Sequence, residues 1–310
     1  MTKIVPILFL LSLFYACSSP SNKAENTTTK SVEKIVEAYA EPYIPELPKQ
    51  LHEISGLLIY DRLFWGFNDS GGEAKLFAFN KKGAIKREIE VEGVENIDWE
   101  SITQDADNIY IGDFGNNNGY RKNLRILKLN KAEFSKEAKQ SIEAEKIGFE
   151  YEKQDTFGYA PISTPFDCEA MTSFGDALYI FSKDWQRGTT VSYKIPKEAG
   201  KYQLTALDTF NVRGLITGAD INSDKNKLAL LGYADYHTFV WLFTDFENDD
   251  FFGGERLRIE IPNLDDAQSE GISFWGNDSL LVSCENSRGI KQQVFVVDLL
   301  KLNHGTYQDK

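Results

Sequence analysis

The sequence predicts an all-β protein, a β-propeller of five blades whose ring is closed by an N-terminal strand. Three observations carry this. A short pattern, a polar residue followed by a small or polar one and then an apolar one, opens an apolar run five times: at Ser55, Glu100, Glu169, Thr217 and Glu270. Each opening leads within about a dozen residues to a second apolar run that ends in a polar loop, as in Leu63-Phe64-Trp65-Gly66-Phe67 before Asn68-Asp69-Ser70. The five lead positions are spaced by 45, 69, 48 and 53 residues, and periods near 45 with about four strands each mark propeller blades.

The chain opens with what reads as an address. Lys3 precedes an apolar run from Ile4 to Tyr15, too short to span a bilayer comfortably, which ends Leu13-Phe14-Tyr15-Ala16-Cys17-Ser18. That ending resembles a bacterial lipobox, so residues 1–17 are expected to be a lipoprotein signal peptide with Cys17 as the lipidated residue. An ordinary secretory peptide or an uncleaved anchor is the alternative. Residues 18–30, rich in Ser, Asn and Thr, read as a flexible tether, and 31–310 as a single propeller domain. With Cys17 spent on lipid, Cys168 and Cys284 remain, 116 residues apart and more plausibly buried thiols than a disulfide. No cysteine or histidine cluster has zinc spacing. A net charge of −13 excludes nucleic acid as an expected partner, because that binding neutralises phosphates with Lys and Arg.

From about Lys49 onward, runs of four to six Ile, Leu, Val, Phe and Tyr alternate with Gly, Asn, Asp and Ser turns. The first unit divides into four strands, 56–60, 63–67, 76–80 and 85–91. The long second interval contains a segment from Lys131 to about Lys146 whose Ala, Glu, Lys and Gln favour a helix. It is expected to be a surface excursion; six blades are possible if it hides another. The last unit is short of its outer strand, which 32–44 can supply, closing the ring and removing an open sheet edge.

In a propeller the innermost strands line the channel, so Ser55, Glu100, Glu169, Thr217 and Glu270 are expected to converge on the axis. Three carboxylates about 6 Å apart repel by roughly 3 kcal/mol per pair at an effective dielectric of about 20. Such a ring holds protons or a cation, and its all-oxygen donors suit Ca²⁺ first and Mg²⁺ second. The plainer alternative is that the glutamates cap strands around a water-filled channel; Glu53 and Asp98, out of register, read as solvated or loop-capping. The second strand of each blade returns to the same mouth and brings polar loops there: Asp69, Asp113 with Asn116, Lys183-Asp184-Trp185, Tyr233, and Glu285 with Arg288. Loops on a rigid ring are where binding residues concentrate, although Asn, Asp, Ser and Gly also serve simply as turn formers. Lys183, Arg121 and Arg288 are placed to meet an anion, and Trp185 and Tyr233 to stack on a ring.

At these residues the chain resembles the five-bladed, calcium-dependent nucleotidases of the apyrase type, whose calcium is held by a Ser/Glu/Glu/Ser/Glu ring. The match falls on Ser55, Glu100, Glu169, Thr217 and Glu270, with Thr217 in place of a serine. The chain is also similar to bacterial envelope propellers of the SdiA-regulated and phytase-like kinds, which share the Glu-Gly-Ile opening seen at Glu270. The resemblance implies calcium, and makes Asp69 the candidate acidic catalytic position, beside the metal. The family's phosphate-handling residues have no one-to-one match. The expectation is therefore a lipid-anchored propeller of the bacterial cell envelope, at the outer membrane, binding a small molecule, glycan or peptide at the channel mouth. A calcium-dependent hydrolase of phosphoanhydrides or phosphate esters is the alternative.

Overall fold

The computed structural model describes Met1 and residues 34–302; the rest of the expected signal peptide, Cys17, the expected tether and the last eight residues lie outside them. Five antiparallel-cored sheets are arranged in a ring, which makes five blades. The first blade contains Leu58–Tyr60, Leu63–Gly66, Lys75–Phe79 and Ile85–Glu92, and the second Trp99–Gln104, Asn108–Asp113, Arg125–Asn130 and Glu145–Tyr151. The third holds Asp167–Phe174, Ala177–Lys183, Thr190–Pro196 and Ala206–Phe210, the fourth Leu215–Ile221, Lys227–Ala234, His237–Thr244 and Glu255–Glu260. The fifth has Ser269–Phe274, Ser279–Cys284 and Gln293–Asp298, and takes its outer strand, Ala40–Ile44, from the N-terminal end. The ring is thus closed as expected.

The helix expected over 131–146 does not form. A single 3-10 turn, Lys131–Glu133, is followed by strands Lys139–Glu143 and Glu145–Tyr151. Helical propensity is a weak prior, and burial decides here: Ile142 is covered, as are Ile147, Phe149 and Tyr151 at every second position. Lys139–Glu143 lies parallel to Ile85–Glu92 as a fifth strand on the first blade, so the insertion hides no sixth blade. Gly200–Leu204 does the same for the second blade and Lys34–Glu37 for the fourth. In three blades the outermost strand is thus borrowed from another part of the chain and lies parallel to its neighbour.

The core consists of five apolar clusters, one between each pair of neighbouring blades. Trp65 and Trp99 fill the seam between blades one and two, and Trp241 with Phe210, Phe243 and Phe252 the seam between three and four. Inner strands are also tied directly. Ser101 and Thr103 hydroxyls accept from the Met171 and Ser173 amides at 3.0 and 3.1 Å, and the Asp220 carboxylate from the Phe274 amide at 2.7 Å. Cys168 and Cys284 are buried free thiols.

Candidate functional site

One irregularity, repeated, builds the channel mouth. In four blades the pairing of the inner strand slips by one residue at the lead position: Trp99 to Ser101, Cys168 to Ala170, Ile216 to Gly218, and Ser269 to Gly271. In the first blade the register moves from Ile54↔Asn68 to Leu58↔Trp65, again one residue longer on the inner strand. Glu100, Glu169, Thr217 and Glu270 are therefore the extra residues of β-bulges, which free a side chain from the strict two-face alternation of a strand. Of these, Glu100, Glu169 and Glu270 reach the mouth.

A pocket of about 270 Å³ opens there, with Glu100, Glu169 and Glu270 in its wall beside Asp69, Lys183, Trp185, Tyr233 and Arg288. Below it the channel narrows to a void of about 10 Å³ between Ser55, Gly218 and Gly271. A side chain at Gly218 would strike the Glu270 carbonyl, so the backbones close the floor by approaching one another.

The five lead residues are not equivalent. Ser55 Oγ donates to Glu270 Oε2 at 2.5 Å, and Gln268 donates to Oε1 of the same glutamate at 3.0 Å. Thr217 Oγ1 donates to the Ser269 carbonyl at 2.8 Å. Both oxygens of Glu169 accept from Lys183 Nζ at 2.6 Å. Glu100 accepts no hydrogen bond among the described residues, although it is only 6 % exposed. It stands instead with Asp69 and Asp98, each offering an oxygen within 4.8 Å of the others.

The electrostatics follow from burial. Desolvation, then the neighbouring Glu169, Asp69 and Asp98 charges, push the Glu100 carboxyl well above the usual range. Burial and the Glu270 and Asp98 charges raise Asp69 to about 7; burial, opposed by Arg121, raises Asp98 to about 6. Burial and the Glu270 charge push Glu285 up to about 10, and its Oε1 has no hydrogen-bond partner among the described residues. Glu169 is raised by burial, which Lys183 opposes. Burial and crowding thus favour the protonated forms of these carboxyls wherever no cation offsets them. The donors are all oxygen, which suits a hard divalent cation, and the space between Asp98 and Glu100 is kept by Gly115, whose missing side chain would meet Asp98 Oδ2 and Glu100 Oε1.

Of the residues expected at the mouth, Lys183, Trp185, Tyr233, Arg288 and Asp69 line the pocket. Four others are spent on structure. Asp113 is fully buried between Arg121 and Arg125 at 2.8 and 2.7 Å, and Arg121 also holds the Gly115 carbonyl at 2.8 Å. Asn116 accepts from the Arg121 amide and donates to the Phe166 carbonyl. Asp184 caps the turn at Gln186 and Arg187. Glu285 lies behind Glu270 rather than in the wall. Asp98, expected to be solvated or loop-capping, joins the acidic cluster; no local pattern marked it, because the Glu100 bulge creates the proximity. Ile162, Tyr236, Asp266 and Arg288 at the rim all adopt left-handed φ values, 44°, 70°, 65° and 51°. Four such non-glycine residues around one opening are strain of the kind that concentrates at functional sites.

No protein-family model and no curated protein sequence matches this chain. Among solved structures it is similar to a putative 6-phosphogluconolactonase from Bacteroides uniformis, at 11 % identity over 76 % of this chain and 68 % of that one, TM-score 0.39. It is similar to the Myceliophteria thermophila Cps50 (Swd1) β-propeller domain at 7 % identity over 79 % and 96 %, TM-score 0.41. For the nidogen/laminin complex the values are 12 %, 83 % and 91 %, TM-score 0.44. The blades themselves, five sheets in a ring, establish that this chain is a five-bladed β-propeller.

Proposed function

We propose that this protein is a lipid-anchored propeller of the bacterial cell envelope, fixed through Cys17 at the outer membrane, that binds one divalent cation and a small ligand at its channel mouth. The observation that carries the reading is Glu100: a buried carboxylate with no hydrogen bond among the described residues, facing Asp69 and Asp98 across less than 5 Å. Asp69, Asp98 and Glu100 would hold the cation, Ca²⁺ before Mg²⁺, with Glu270 close by. Arg288, half-exposed at the rim, would supply charge, and Trp185, Tyr233 and Tyr236 apolar surface, for a ligand with an anionic group, whether a small molecule or the end of a glycan or peptide.

The reading is tested by thermal unfolding of the mature chain in EGTA and in calcium, with the metal content measured. Wild type is expected to melt several degrees higher in calcium. Glu100→Gln, which mimics the protonated carboxyl, should melt close to metal-free wild type and lose the calcium response. No response in wild type would remove the cation from the account.

A second reading, a calcium-dependent hydrolase of phosphoanhydrides or phosphate esters, is favoured by Asp69, whose raised carboxyl is suited to accept a proton from water near neutral pH. A bound cation would supply charge for a phosphate oxygen. It would also recruit Asp69 as a ligand and lower its basicity, which is why binding is the first reading. Phosphate release from a nucleotide and phosphate-ester panel in calcium, lost in Asp69→Asn, would reverse that order.

A further inference from the structure

The mouth contains two anion-rich places, and the chain fills one of them itself. Lys183 is 4 % exposed and comes from the second strand of blade three. Its ammonium contacts both Glu169 oxygens at 2.6 Å and lies 4.6 Å from the centre of the Trp185 ring and 5.2 Å from that of Tyr233. A carboxylate with two aromatic faces is a cage for a cation, and here the cation is tethered. Across the same pocket Glu100 is equally buried, lines the wall and has no hydrogen-bond partner among the described residues, with Asp69 and Asp98 beside it.

We infer that the pocket floor is a two-cation site in which Lys183 permanently supplies one cation, so that the protein takes up a single divalent ion, off the propeller axis, at Asp69, Asp98 and Glu100. The inference rests on reading the channel mouth as a cation site. It follows from the division of the ring. An ion on the axis needs oxygens from all sides, and both Glu169 oxygens are already engaged. Charge agrees with the geometry. Asp69, Asp98, Glu100, Glu169 and Glu270 lie at or beside the pocket, with Arg288 at the rim and Arg121 4.0 Å from Asp98, and Lys183 with one divalent ion adds three positive charges among the five carboxylates. A tethered ammonium cannot be diluted away, so the half of the ring around Glu169 remains neutralised when the free ion is scarce. Only the Glu100 half responds to the ion's concentration.

The test is calcium stoichiometry and affinity of the mature chain, by equilibrium binding and elemental analysis. Wild type is expected to bind one ion. Lys183→Met, which leaves Glu169 unpaired, should bind two; Lys183→Met with Glu169→Gln should return to one. Two ions in wild type, or one ion at wild-type affinity in Lys183→Met, would overturn the inference while leaving the calcium reading standing. No ion in wild type but one in Lys183→Met would overturn the calcium reading and leave Lys183 as the ring's only cation. No ion in any variant would overturn both. If Lys183→Met does not fold, Glu169→Gln decides: it leaves the Lys183 charge uncompensated beside the ion, and affinity should fall about tenfold or more. Unchanged affinity would show that the two halves do not share one electrostatic site.

Discussion

Gly115→Ala is the sharpest probe of the acidic cluster, because it adds one methyl group and no charge. Gly115 ends the second strand region of blade two, where its amide donates to the Asp98 carbonyl at 3.2 Å and its carbonyl accepts from Arg121. Its φ is not left-handed, so alanine is tolerated by the backbone. The new methyl would overlap Asp98 Oδ2 and Glu100 Oε1, the two oxygens that face each other across the proposed ion position. Restoring ordinary contact displaces them by roughly 1 Å. Both are ends of side chains, so they can move; a binding constellation, however, tolerates only about 0.5 Å. An affinity loss of about a hundredfold follows from misplacing two of three charged ligands. At a calcium concentration about 100 times the wild-type Kd, binding stabilises wild type by about 2.7 kcal/mol and the variant by about 0.4 kcal/mol. For a domain of this size the difference corresponds to about 4 °C in melting temperature. Scanning calorimetry in EGTA and in calcium reads it directly: similar melting in EGTA, divergence in calcium. A variant that keeps the full calcium shift would refute the placement of the ion between Asp98 and Glu100.

Three further outcomes follow. In EGTA, stability should fall as pH rises from about 4 to about 7, since burial and neighbouring charges raise Asp69 to about 7 and Asp98 to about 6, so that the folded chain keeps protons the unfolded chain, near 3.9, has lost. Calcium, or Asp69→Asn in part, should flatten that slope in melting temperature measured across the pH series. Arg121→Met strips the buried Asp113 of a partner and frees the Gly115 carbonyl; a loss of about 3–5 kcal/mol in urea unfolding is expected, with calcium response lost alongside. Cys17→Ser should move the protein from the membrane fraction to the soluble one after cell disruption; retention in membranes would remove the lipid anchor.

The periodic part of this fold was readable because a blade is a local object. Ser55, Glu100, Glu169, Thr217 and Glu270 could be aligned by their apolar runs alone, and the shortfall after Glu270 pointed to the strand supplied by Ala40–Ile44. The insertion after Lys131 misled because its composition favours a helix, while the alternation of Ile147, Phe149 and Tyr151 carried the better signal. The bulges left a trace as well, in the glycines that follow Ser55, Thr217 and Glu270. What no local pattern carries is pairing across the ring. That Asp113 is consumed by Arg121 and Arg125, that Lys183 turns to Glu169, and that Asp98 comes to face Glu100 all depend on which strands stand beside which.

The closing strand has a mechanical meaning. A pull on the chain from before Lys34 does not reach Ala40–Ile44 first. It loads Lys34–Glu37, a four-residue strand laid parallel to Glu255–Glu260 on blade four, and only then the antiparallel strand that completes blade five. Between them the Ala38 amide is bonded to the Glu260 carbonyl, while Asn263 grips the Ala40 amide and carbonyl at 3.0 and 2.8 Å. The ring is thus fastened by two latches in series, with a clamp between them. A chain held from its N-terminal side can shed the first under load and stay a closed ring, so that tension is spent at the rim before it is felt at the channel.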